Sequence, residues 1–198
     1  MYISDAMDLI EAMKTLFYHG LNTVLSGNGS IRVNRESFLI TPSGLPKHRL
    51  TLNDLVLCNV YSEVCSGRYK PSIEIHVHRA IYRARDDAYV VLHAHPPLTT
   101  LLVSKGLVNW WISENVESTY SVGKVCIGKQ AEPGSKDLAE SVANVLINDC
   151  RVVIIPNHGV FTWHSSVWNA LESIIALEHL AKQYIVWLNI ERSFKNKL

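Results

Sequence analysis

The chain is predicted to fold as a three-layer α/β domain around a mixed, largely antiparallel sheet, and three observations carry that expectation. Apolar runs of strand length alternate with segments of helical periodicity along the 198 residues. Several strands are short and separated by tight turns, as in hairpins, which a purely parallel sheet lacks. The length and a hydrophobic content of 47% suit one domain, 1–198, with a substantial core, and no repeat, linker or low-complexity stretch divides it.

The elements follow in order. Leu9, Ile10, Met13, Leu16 and Phe17 recur at helical spacing, so Ser4–Phe17 is expected to be a helix ending at Gly20. Ser26-Gly27-Asn28-Gly29-Ser30 has the composition of a tight turn, with short strands expected at Ile31–Val33 and Phe38–Thr41. After the loop Thr41-Pro42-Ser43-Gly44, a buried strand is expected at Leu55–Val60 and a surface turn over Ser62–Lys70. Helices are expected at Ser72–Arg85, Pro97–Ser104, Ser135–Asn148 and Ser166–Glu191; the last carries Leu171, Ile174, Ile175, Ala181, Tyr184, Ile185 and Leu188 on one broad stripe. Strands are expected at Tyr89–His95, Val122–Ile127, Val152–Ile155 and Phe161–Trp163.

The chemistry-bearing residues lie where two of these strands end. His93-Ala94-His95 closes the apolar run Tyr89–Leu92, and residues two apart on a strand point to the same side. Pro96-Pro97 stops that strand immediately afterwards. The run Val152–Ile155 ends in Pro156-Asn157-His158-Gly159, which offers a third imidazole at another strand exit. Three neutral histidines that leave a coordination position open make a zinc-type site, although a single His-x-His in an apolar strand is usually structural. Glu74, in the expected first turn of a helix, either caps it or serves as a carboxylate beside such a metal. Pro71-Ser72-Ile73 presents a helix N-terminus, and the small turns Gly27-Asn28 and Ser43-Gly44 offer further amides to an anion. None of these has the spacing of a P-loop or dinucleotide fingerprint.

Composition removes several alternatives. A net charge of +1 gives no electrostatic case for nucleic acid or an anionic membrane, and no apolar run reaches bilayer length. The first residues lack the basic start and apolar stretch of a signal peptide, so a cytoplasmic protein is expected. Cys58, Cys65, Cys126 and Cys150 form no Cys-x-x-Cys pair and are expected to be separate buried thiols.

Six segments in order resemble the class II aldolase/adducin superfamily, and its fuculose-phosphate aldolase branch in particular. They are Ser26–Arg32, Ile40–Gly44, Pro71–Glu74, His78–Arg85, Val91–Pro96 and Pro156–Trp163. The resemblance implies an α/β/α sandwich in which His93, His95 and His158 hold one zinc ion per subunit and Glu74 is the acid/base carboxylate. It also implies a phosphate cradle of Gly27, Asn28, Ser43, Gly44, Ser72 and Ile73, and a homotetramer with active sites at subunit interfaces. The activity implied is that of a lyase, an aldolase of carbohydrate metabolism. It would cleave a ketose 1-phosphate to dihydroxyacetone phosphate and a small aldehyde through a metal-stabilised enediolate.

Two positions depart from the family pattern. Ile73 stands where a second serine is usual. The tyrosines of the fuculose enzyme have no clear counterpart: Glu117 occupies the mid-chain position, with Tyr120 nearby, and no tyrosine follows Glu191. The alternatives within the superfamily are a methylthioribulose-phosphate dehydratase, which shares the histidines and the glutamate position, and a sugar-phosphate 4-epimerase, which carries aspartate there. A non-catalytic adducin-like module fits least, since such modules lose the histidines.

Overall fold

The computed structural model describes residues 2–112, 116–147 and 149–195. Helix α1 (Tyr2–Tyr18) leads to strands β1 (Asn28–Arg32), β2 (Ser37–Ile40), β3 (Val56–Asn59) and β4 (Cys65–Ser66). There follow α2 (Ile75–Ala84), β5 (Val90–Ala94), α3 (Pro97–Ser104), β6 (Val125–Ile127), α4 (Lys136–Leu146), β7 (Val152–Ile155), β8 (Gly159–His164) and α5 (Val167–Lys195). The strands make one sheet in the order β4-β3-β2-β1-β5-β8-β7-β6. Only β6 and β7 run parallel among the paired neighbours described, so the sheet is mixed and largely antiparallel.

Alternation along the central strands divides the side chains between two faces. Val91, Val153, Phe161 and Trp163 pack with Ile75, Val77, Ile81, Leu138 and Val142, which places α2 and α4 on one face. Val90, Leu92 and Ala94 face α1 and the first half of α5, while Val152, Ile154 and Val160 meet α3 and the middle of α5. The result is the expected three-layer α/β/α sandwich. Because His93 follows Val91 at a spacing of two, its imidazole belongs to the α2 face, toward Glu74.

Several local expectations change. The turn expected at Ser26–Ser30 ends sooner, because Asn28 already pairs with His93 in the β1–β5 ladder. The surface turn over Ser62–Lys70 contains β4, whose Cys65 is the register partner of Cys58. The cysteines are not separate thiols: Cys58 bonds to Cys65 and Cys126 to Cys150. Strand pairing brings together residues that no short sequence spacing relates. The α2 helix starts at Ile75 with Glu74 at its N-cap and no side-chain cap bond, so capping does not account for that carboxylate. Trp110 and Trp111 are buried against α5, whereas Leu107 and Val108 of the same stretch are exposed. No helix of the described residues is long and apolar enough to cross a membrane.

Candidate functional site

The β5–β8 ladder builds the histidine cluster. His93 pairs with Phe161 and Ala94 with Val160, so the chain entering β8 passes beside the end of β5. His158 sits in the turn between β7 and β8. That turn needs Asn157 in the left-handed region, at φ 56°, a conformation asparagine tolerates better than most residues. The Asn157 N–H donates to Ser104 Oγ at 2.7 Å and its side chain donates to Gln130 Oε1 at 2.8 Å, anchoring the turn to α3 and to the segment after β6. Gly159 then lets the backbone approach: a Cβ there would strike the Ala94 carbonyl and both imidazoles of His93 and His95.

Together these features bring one nitrogen each from His93, His95 and His158 within 4.8 Å of one another. His93 donates its Nδ1–H to the Val160 carbonyl at 2.9 Å, which leaves Nε2 as a lone-pair donor. That Nε2 faces His95 Nε2 at 2.9 Å, and the His93 ring stacks on Phe161. Burial, reinforced by the other two imidazoles, holds His93 well below the usual histidine range. Burial, then His158, pushes His95 down to about 4. His93 and His95 are therefore neutral, the state a cation requires of its ligands. Among the described residues His158 Nδ1 and Glu74 Oε2 are buried without a hydrogen-bond partner, and Glu74 Oε1 lies 3.4 Å from His158 Nε2. Two orphaned polar atoms beside three converging imidazoles fit a bound metal ion, and fit a purely structural cluster poorly.

A cavity of about 210 Å³ joins this cluster to the expected anion cradle. Gly27, Asn28, Ser43, Gly44, Ser72, Ile73, Glu74, His93, His95 and His158, the residues singled out in the sequence, all line it. The cradle differs in detail from a row of free amides. Ser43 N–H donates to Lys70 O, Ser72 N–H to Thr41 O, and Glu74 N–H to Ser72 Oγ. Among the described residues no acceptor takes the N–H of Gly44 or Ile73. The Ile73 side chain is 59% exposed at the cavity wall, so it is not a core residue. Tyr120 is 83% exposed and does not line the cavity, while the Glu117 side chain lies outside the described residues.

Two groups at the cradle were not singled out in the sequence. His78, on α2, donates from Nε2 to Asn28 Oδ1 at 2.6 Å and accepts at Nδ1 from Ser30 Oγ at 2.6 Å; Ser30 Oγ in turn lies 2.8 Å from the Tyr82 hydroxyl. Burial lowers His78 to about 3, so it stays neutral. With its oxygen engaged by His78, Asn28 has its NH₂ end left to offer the cavity that it lines. The α2 periodicity places His78 and Tyr82 four apart on the inner face, but nothing local in sequence relates them to Asn28. The second group is Lys47, which lines the cavity although a lysine two residues after a Gly-Leu turn ordinarily faces solvent.

Known proteins resemble this chain along most of its length. Residues 7–185 match the family model described as the Class II Aldolase and Adducin N-terminal domain. The chain is 34% identical over 185 residues to a methylthioribulose-1-phosphate dehydratase of Methylococcus capsulatus, covering 88% of this chain and 90% of that protein. It is 30% identical over 183 residues to a 5-deoxy-D-ribulose 1-phosphate aldolase of Bacillus thuringiensis, covering 89% and 82%. Among solved structures, an L-fuculose 1-phosphate aldolase superposes with a TM-score of 0.81 at 27% identity, over 94% of this chain and 87% of that one.

Proposed function

The chain belongs to the class II aldolase and adducin N-terminal domain family, and from that premise we propose that it is a zinc-dependent lyase acting on a pentulose 1-phosphate that lacks a C5 hydroxyl. We assign its reaction as dehydration. The fuculose-type substrate suggested by the sequence motifs gives way here, because these relatives are named for methylthioribulose 1-phosphate and 5-deoxyribulose 1-phosphate, and the one at 34% identity is named a dehydratase.

The observation that carries the assignment is Glu74. It is 3% exposed, has one oxygen without a partner and the other against His158, and is the one carboxylic acid lining the cavity among the described residues. Dehydration needs one such group. Glu74 takes the C3 proton, the C4–O bond breaks, and the leaving hydroxyl departs as water with that proton. The resulting enol passes its hydroxyl proton to C4 and becomes a 2,3-diketone, so the balance is the loss of one water. A zinc ion held by His93, His95 and His158 would supply positive charge that acidifies the C3 proton. Three imidazoles with an open position suit that ion. The cradle of Asn28, Ser43, Gly44, Ser72 and Ile73 binds the C1 phosphate and so fixes C3 near Glu74.

Aldol cleavage is the second reading, favoured by the aldolase relatives of Bacillus thuringiensis and Rhodospirillum rubrum, each 30% identical to this chain. It breaks C3–C4 and asks for a proton-transfer group on the aldehyde-side oxygen in addition to Glu74. Glu117 or Tyr120 would fill that role across the interface of a homotetramer. Product analysis separates the two: dehydration retains all five carbons, whereas cleavage releases dihydroxyacetone phosphate.

A further inference from the structure

Lys47 is 2% exposed, yet among the described residues no carboxylate lies within ion-pairing distance of it. Its Nζ donates to the carbonyls of Pro42 at 2.6 Å and Leu45 at 3.2 Å, which flank Ser43-Gly44. The same side chain lines the cavity with Gly27, Asn28, Ser72 and Ile73. A buried ammonium is normally paired with an anion, because carbonyl dipoles replace only part of its lost hydration. Burial alone draws it down to about 8, which leaves it mostly charged near neutrality. The rest of the cradle is short of strong donors: Ser43 and Ser72 have committed their N–H groups internally, and Ile73 brings no hydroxyl.

We propose that Lys47 is the charge-bearing residue of the anion cradle, a buried ammonium held at the Ser43-Gly44 turn whose missing counter-ion is the phosphate of the substrate. Its two carbonyl bonds hold it beside the turn, and the third ammonium proton remains for the ligand. The carbonyl clamp and the charge thus act together, since the clamp sets where the charge sits. The inference rests on the reading that this cavity receives a phosphate, and it adds a specificity element to that reading: a ketose without the phosphate leaves the ammonium unpaired.

The test separates charge from clamp. Inorganic phosphate is titrated calorimetrically into the metal-loaded protein and again after chelation, so that binding at the metal is told from binding at the cradle. Lys47→Gln keeps hydrogen-bond donors for the two carbonyls and removes the charge, Lys47→Met removes both, and Lys47→Arg keeps a charge. A charge-assisted bond predicts that the Gln and Met variants bind phosphate roughly ten- to a hundredfold more weakly after chelation, while Arg retains most of the affinity. Melting temperature is followed alongside; removing an unpaired buried charge should leave it unchanged or raise it in Lys47→Met. Phosphate affinity equal to wild type in Lys47→Gln, or a loss shared equally by Lys47→Arg, would overturn the proposal. Because the assay needs no turnover, a protein with Lys47-dependent phosphate binding and no dehydration would overturn the reaction and leave this inference standing.

Discussion

The two ends of the cavity are built in opposite ways. At the histidine end, rigid strand pairing does the positioning: the β5–β8 register sets His93, and the Asn157 turn with Gly159 sets His158. At the anion end, three loops meet through side-chain and main-chain bonds, with Thr41 and Lys47 tying turns that belong to no single ladder. The first end presents nitrogen lone pairs, and the second an ammonium and amide N–H groups. The two ends are electrostatically complementary. A substrate carrying a phosphate at one end and a ketone oxygen at the other would match both.

Breaking the histidine end should have the largest effect. His93→Ala removes the central nitrogen and should abolish metal retention and activity together, read as metal content per chain and as turnover. In wild type, zinc at about 100 times its dissociation constant should add about 2.7 kcal/mol of stability. A thermal melt with added zinc should show that gain in wild type and lose it in His93→Ala. Next in size, Glu74→Gln preserves shape and should keep the metal and the fold while lowering kcat by about a hundredfold or more, the usual worth of a placed acid/base. Because Glu74 makes no cap bond, its melting temperature should change little.

Perturbing the anion end should cost less and act through KM. His78→Phe removes the donor that orients Asn28 and should raise KM for the phosphorylated substrate, with a smaller change in kcat. His78→Gln, which can still donate to Asn28, should recover part of the loss; equal effects from both variants would show that His78 matters for packing alone. Ile73→Ser sharpens the same end in the favourable direction. Ile73 lies exposed at the cavity wall, so a serine there costs little burial and adds a hydroxyl worth about 1.5–3 kcal/mol at best toward a charged group. KM for phosphorylated ketoses should fall and that for unphosphorylated ones should stay unchanged.

The same contrast explains what the sequence made legible. His93, His95 and His158 stood out because apolar runs ending in histidine are local patterns, and the sheet needed only to bring two strand ends together. The mixed sheet and its helices were legible for the same reason, apart from β4, where a two-residue strand is too short to show a period. At the anion end the turns were visible but their bonding was not. Whether the N–H of Ser43 or Ser72 is spent internally depends on Lys70 and Thr41 reaching them, which is a tertiary matter. Lys47 was illegible because a lysine in a loop is exposed by default, and only the packing of Pro42 and Leu45 around it shows otherwise. The disulfide partners were hidden likewise, since Cys126 and Cys150 meet only once β6 lies beside β7.

In the proposed reaction this site removes water from a pentulose 1-phosphate with Glu74 as proton carrier. The direct measurement is mass and NMR analysis of the products formed from 5-methylthioribulose 1-phosphate and from 5-deoxyribulose 1-phosphate by the metal-loaded protein, beside its Glu74→Gln variant. The expected result is a five-carbon diketone phosphate lighter by one water, absent after chelation and nearly absent in Glu74→Gln. Release of dihydroxyacetone phosphate, or full turnover by Glu74→Gln, would rule out dehydration through Glu74.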